Sequence, residues 1–202
     1  MEQYLISEEF ITLSENNKLK MSFIGKQKVK EMYAVGALFY DLLVLDLIEF
    51  EGNGKISVQE PLKELNVEAL NMLYELIREE KPRNFRKWIS YFSIPSKNRV
   101  KIFELLNKNL NNKVQNKEVI VQRLRAELLE PGEATEETVI LALLLISSRV
   151  LKGYFSDYEI NDVGLKIKEF KKKSPTRWKN IERISKEIDN MDTIILTSAV
   201  LI

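Results

Sequence analysis

Apolar residues recur at three- and four-residue intervals over most of this chain beyond residue 65. Val67, Leu70, Leu73, Tyr74 and Ile77 form one stripe of helical period, and Phe85, Trp88, Ile89 and Phe92 a second, bounded by Pro82 and Pro95. Val100, Phe103, Leu106 and Leu110 make a third stripe. Val121, Leu124 and Leu128 make a fourth, stopped by Pro131-Gly132. Thr135 is placed to cap a helix through Lys152, with Glu136 and Glu137 in its first turn, where carboxylates suit the positive helix end. That helix is apolar nearly all round, the pattern of one buried on every side. Ile160–Lys173 reads as a Lys-rich amphipathic helix broken by Pro175. Ile181, Ile184 and Ile188 begin another, and Asp192 is placed to cap a last apolar segment, 193–202.

The period changes only between Gly36 and Val58. An apolar helical run containing Asp41 and Asp46 leads into Ile48-Glu49-Phe50, the tip Gly52-Asn53-Gly54, and Ile56-Ser57-Val58. This predicts a helix feeding a β-hairpin, since the tip residues accept the positive φ that tight turns need. Residues 4–13 predict a short helix and then a strand. The fold class is therefore mainly α: a single domain, 1–202, with a helical core, peripheral amphipathic helices and short β-hairpins. Asp41 sits among leucines, and a carboxylate so placed serves backbone N–H groups or pairs with a buried Arg, for which Arg149 is a candidate.

Composition narrows the chemistry. Cysteine and histidine are both absent, which excludes disulfides, thiolate nucleophiles, Ser-His-Asp triads and His-based metal centres. No Gly-rich phosphate loop occurs among the seven glycines. The expectation is a non-enzyme with no cofactor and no metal site. The acidic start, MEQYLISEEF, lacks a signal-peptide layout, and the longest uninterrupted apolar run is Val139–Ile146. A cytoplasmic protein, peripheral to a membrane, is expected. The 31 basic and 30 acidic residues nearly cancel. Basic groups nonetheless concentrate in 20–30, 97–126 and 166–183, either as ordinary solvated helix faces or, if two stretches share a face, as a basic surface.

Four blocks, in order, resemble the Golgi phosphoprotein 3 family, including its bacterial members. They are Gly36-Ala37-Leu38 with Asp41-Leu42 and Ile48-Glu49-Phe50; Glu68-Ala69-Leu70 with Trp88-Ile89; Asn98-Arg99-Val100-Lys101 with Leu105-Leu106; and Gln122-Arg123-Leu124-Arg125 with Leu141–Leu145 and Val150-Leu151. The opening Glu8-Glu9-Phe10-Ile11 is also similar. The resemblance spans most of the chain and implies a helical peripheral protein that binds the phosphatidylinositol 4-phosphate head group in a basic pocket, in some members as an adaptor. Val35 stands where that pocket has an Arg, and neither Ile24 nor Lys26 supplies its Trp. The family's long hairpin after the third helix shortens here to about 111–119. The candidate anionic head-group site implied is Lys26, Lys28, Lys97, Arg99 and Lys101, because phosphate takes Arg or Lys donors and a basic surface is drawn to an anionic leaflet. The expected partner is an anionic phospholipid, with a protein partner as an addition. The alternatives are a helical protein-interaction scaffold without lipid binding, or a winged-helix-like nucleic-acid module using 97–126, against which the near-neutral total charge counts.

Overall fold

A long helix, uncharged beyond its first two turns except at one aspartate, forms the axis around which the other elements pack. The computed structural model describes residues 5–15, 26–60, 65–93, 97–112 and 116–190. Among them the order is α1 (Ile6–Ser14), α2 (Lys26–Val44), β1 (Ile48–Phe50), β2 (Ile56–Val58), α3 (Glu68–Glu79), α4 (Phe85–Ser93), α5 (Lys97–Asn112), α6 (Lys117–Leu129), α7 (Glu136–Ser147), α8 (Asp157–Lys173) and α9 (Pro175–Asp189), with a 3-10 turn at Leu151–Gly153. The mainly helical class with one short antiparallel hairpin is as the periodicity predicts. The segment 193–202 and its cap Asp192 lie outside the described residues.

From Met32 to Leu43 every α2 side chain beyond Gly36 is buried, Asp41 included. The helix contacts α1, α3, α4, α5, α7 and α9. Gly36 permits the last of these approaches, because a Cβ there would lie 2.9 Å from Cδ1 of Ile188 on α9. Phe39 of α2 meets Phe85, Trp88 and Phe92 of α4, with ring centroids 5.0, 6.2 and 6.5 Å away. Aromatic contacts of this kind add about 0.5–1.5 kcal/mol each beyond area burial, and here they fix α4 relative to the hairpin that follows α2.

The end of α2 is a Schellman turn without glycine. Asp46 takes φ 55°, its N–H bonds Leu43 O, and the Leu47 N–H bonds Leu42 O. Arg177 of α9 closes the turn, donating to Leu43 O at 2.7 Å, Asp46 Oδ1 at 2.8 Å and Glu136 Oε1 at 2.6 Å. It thereby joins the C-terminus of α2 to the N-terminus of α7.

Four sequence expectations need correction. Residues 6–14 are one helix with no strand. The apolar helix α7 stops at Ser147 and not at Lys152, because Arg149 turns left-handed at φ 62°. On α5, Val100 is 46% exposed while Ile102 is buried, so the buried face is rotated from the predicted stripe. Of the span 111–119 allotted to a second hairpin, the ends belong to α5, which runs to Asn112, and α6, which begins at Lys117, and 113–115 lie outside the described residues. The Thr135 cap is as expected, its Oγ1 accepting the Thr138 N–H at 3.3 Å.

Asp41 accepts the Ile6 N–H at 2.7 Å and the Ser7 N–H at 3.1 Å. It caps α1 from a neighbouring helix, supplying what Leu5, the residue at the local cap position, has no side chain to supply. Arg149 is exposed and is not its partner.

Candidate functional site: a basic groove beside the hairpin

The hairpin pairs Ile48 with Val58, Glu49 with Ser57 and Phe50 with Ile56. Its tip is closed by Gly54 N–H to Glu51 O at 2.8 Å, with Gly54 at φ 77°. The Asn53 carboxamide oxygen accepts the Lys55 N–H at 2.9 Å, which sets the direction of the returning strand. That strand does not end the pairing. Ile56 N–H bonds Arg83 O at 2.8 Å, and Lys55 bridges Asn84, so residues 83–84 run beside the hairpin as a short third rung.

Asn84 then starts α4. Its Oδ1 accepts the Lys87 N–H at 2.9 Å, an N-cap that leaves its NH2 free to donate outward. Pro82 precedes this cap and holds Lys81 and Arg83 outside the helix. Arg83 pairs with Glu80 at 2.7 Å, and its guanidinium lies 5.1 Å from the Trp88 ring centre and 5.2 Å from that of Tyr91.

Between tip and helix lies a groove of about 530 Å³, lined among others by Lys55, Lys81, Arg83, Asn84, Lys87 and Tyr91, with no carboxylate in its lining. Lys55, Lys81 and Lys87 make no ion pair among the described residues. The N-terminus of α4 opens nearby and adds its partial positive charge. Such a surface suits an anion with several acceptor oxygens, phosphate above all.

Of the residues expected to form the site, the described ones, Lys97, Arg99 and Lys101, do not share one face. Lys97 and Lys101 are exposed and one turn apart on α5. Arg99, about 100° per residue from each neighbour along a helix and so on the opposite face, is only 7% exposed. Its Nη1 donates to Phe92 O at 3.2 Å and Ser93 O at 3.3 Å, and its Nε lies 3.5 Å from Glu31 Oε2. A guanidinium at the C-terminal end of α4, paired with a carboxylate of α2, is a structural tie. Arg99 is therefore removed from the candidate head-group set. Lys26 and Lys28 fall in the first turn of α2, and their side chains lie outside those described.

Several cations of the stretches 97–126 and 166–183 also act as ties. Arg123 reaches Glu9 at 2.6 Å and also bonds Thr138. Arg125 bonds Glu159 and, at 2.6 Å, Tyr154 O. Lys166 donates to Glu130 O and Gly132 O. Glu159, also bonded by the Ser156 N–H, is held down to about 2 by that backbone bond first and by Arg125 and the Ser156 hydroxyl next. Burial pushes the Glu9 carboxyl upward against the opposing pull of Arg123.

The groove was legible in one signal left unused: Lys81-Pro82-Arg83-Asn84-Phe85-Arg86-Lys87 places four cations in seven residues with no acid. Among the described residues no cluster of three acidic side chains is suited to a metal ion, and no helix is long and apolar enough to cross a membrane. Comparison of the chain with protein-family models and with curated proteins finds no match in either.

Proposed function

We propose that this protein is a non-catalytic, peripheral binder of anionic phospholipid head groups, and that the groove between the hairpin and α4 receives the phosphate. One observation carries the reading: Lys55, Lys81, Arg83 and Lys87 line a single groove that has no carboxylate in its lining. Phosphate accepts charge-assisted bonds from such donors. The absence of both histidine and cysteine supports a binding role over catalysis. With the cations exposed, attraction to an anionic leaflet rests on charge, at about 1 kcal/mol per Lys or Arg near the surface, and is screened within about 8–10 Å at moderate ionic strength.

Cosedimentation with vesicles of phosphatidylcholine, alone and mixed with an anionic phospholipid, tests the reading. Binding is expected only to the anionic vesicles and is expected to weaken with salt. The triple change Lys55→Glu, Lys81→Glu, Lys87→Glu is expected to abolish it while leaving the circular-dichroism spectrum unchanged. Absence of binding at low salt overturns the proposal. So does binding to a short DNA duplex that outcompetes the vesicles with a steep salt slope, which would favour a nucleic-acid role.

A further inference from the structure

The hairpin tip has a second basic cleft on its other side. It encloses about 400 Å³ and is lined by Phe50, Phe85, Arg86, Arg183, Lys186 and Glu187, together with Asn53, Gly54 and Asn84. Asn53 and Asn84 line both clefts, so the two meet at these carboxamides. Arg183 reaches the cleft from α9 and lies over the Phe50 ring, 5.4 Å from its centre. Among the described residues neither Arg86 nor Arg183 is ion-paired, whereas Lys186 is 3.7 Å from Glu182. Arg86 and Lys87 are consecutive on the first turn of α4, one lining each cleft. A helix turns about 100° between neighbours, so a single turn serves both sides of the tip.

Resting on the phosphate reading of the first groove, we propose that the two clefts form one bipartite site for a ligand that carries two phosphates on a single head group, one phosphate per cleft. The first is taken by Lys55, Lys81 and Lys87, the second by Arg86 and Arg183, and the Asn84 NH2 donates at the junction. Glu187 borders the second cleft. Two phosphates joined by a short bridge gain from linkage, because binding of the first holds the second at high local concentration. The same number of phosphates on separate molecules lacks that gain.

The test compares phosphatidylcholine vesicles containing cardiolipin, whose head group joins two phosphates through glycerol, with vesicles containing phosphatidylglycerol at equal total phosphate. A soluble arm compares fructose 1,6-bisphosphate with fructose 6-phosphate by calorimetry, and separates a free bisphosphate from a lipid as the source. Cardiolipin vesicles are expected to bind about tenfold more tightly than phosphatidylglycerol vesicles. The pair Arg86→Gln, Arg183→Gln is expected to erase that preference, leaving cardiolipin and phosphatidylglycerol vesicles bound equally and both more weakly through the loss of two surface cations. Lys172→Gln, an exposed position on α8, is expected to change neither. A preference shown by the sugar bisphosphate alone assigns the site to a soluble ligand and supports two clefts. Equal affinity for one and two phosphates in both arms, with Lys55, Lys81 and Lys87 still required, overturns the bipartite site and leaves the single-phosphate groove standing. Failure of every phosphate probe to bind the unaltered protein overturns both.

Discussion

Asp41 offers the sharpest test of how the fold is held. It is 2% exposed on α2, and its two oxygens accept the first N–H groups of α1. Asp41→Ala removes both acceptors and leaves two buried donors. An orphaned buried donor costs about 1–3 kcal/mol, and loss of a helix cap about 0.5–2 kcal/mol by itself. The expected loss is about 2–5 kcal/mol, a large part of the total stability of a domain this size. Asp41→Asn keeps one carbonyl acceptor but turns an NH2 toward the second N–H, so about half of that loss is expected.

Protonation adds a signature that a cavity does not. Burial pushes the Asp41 carboxyl up to about 7, outweighing the bonds from Ser7 and Ile6, and Glu8 adds to the rise. In the unfolded chain it returns to the ordinary value of 3.8. Between these values the folded state holds the proton more tightly. Its contribution to stability is therefore fully present below 3.8 and is lost as pH rises through about 7. At about 1.4 kcal/mol per pH unit, the ceiling on that slope is about 4 kcal/mol over the whole window. Urea denaturation of the wild type and Asp41→Asn between about pH 5 and about pH 8 reads it directly. The wild type is expected to gain on the variant as pH falls. Parallel pH profiles for the two proteins would refute the shifted carboxyl, and a loss below about 1 kcal/mol in Asp41→Ala would refute the remote cap.

Arg149→Gly is expected to stabilise by about 1–2 kcal/mol, because an exposed non-glycine residue holds φ 62° at the end of α7; an unchanged urea midpoint would contradict the left-handed turn. Gly36→Ala is expected to be neutral within about 1 kcal/mol, its gain in helix propensity offset by contact with Ile188, whereas Gly36→Val costs about 1–3 kcal/mol. Equal midpoints for the two variants would show that α2 and α9 do not approach closely there. Arg99→Ala is expected to lose about 3–5 kcal/mol by leaving Glu31 and the last carbonyls of α4 without their guanidinium. At a temperature where the variant is folded, its vesicle binding is expected to match wild type, and a selective loss of binding would return Arg99 to the head-group site.

Helices, their order and the hairpin were legible because burial on one face writes a period into the chain, and turns demand glycine or asparagine in particular places. Two boundaries escaped that logic. Asp46 and Arg149 end α2 and α7 in left-handed conformations that glycine usually supplies. At Asp46 the turn is sustained by Arg177, which lies 131 residues away. A long-range clamp of this kind leaves no local trace. The remote cap by Asp41 was half legible: a carboxylate among leucines announces a buried polar contact but does not say with whom.

The role of Arg99 escaped the sequence for a more general reason. Counting cations along the chain treats each as a free charge, but a helix turns about 100° per residue, so residues one or two apart face different neighbours. Lys97 and Lys101 share a face that Arg99 does not, so a run dense in sequence splits into two exposed lysines and one buried tie. The 123–125 pair divides similarly, each Arg spent on its own carboxylate from a distant element. The run at 81–87 brings Lys81, Arg83 and Lys87 to one groove because half of it is not helical. Pro82 and the Asn84 cap hold Lys81 and Arg83 in extended chain against the hairpin, while Arg86 and Lys87 occupy the first turn of α4, where no preceding turn exists to take them. On that ground the basic surface of this protein belongs beside its hairpin.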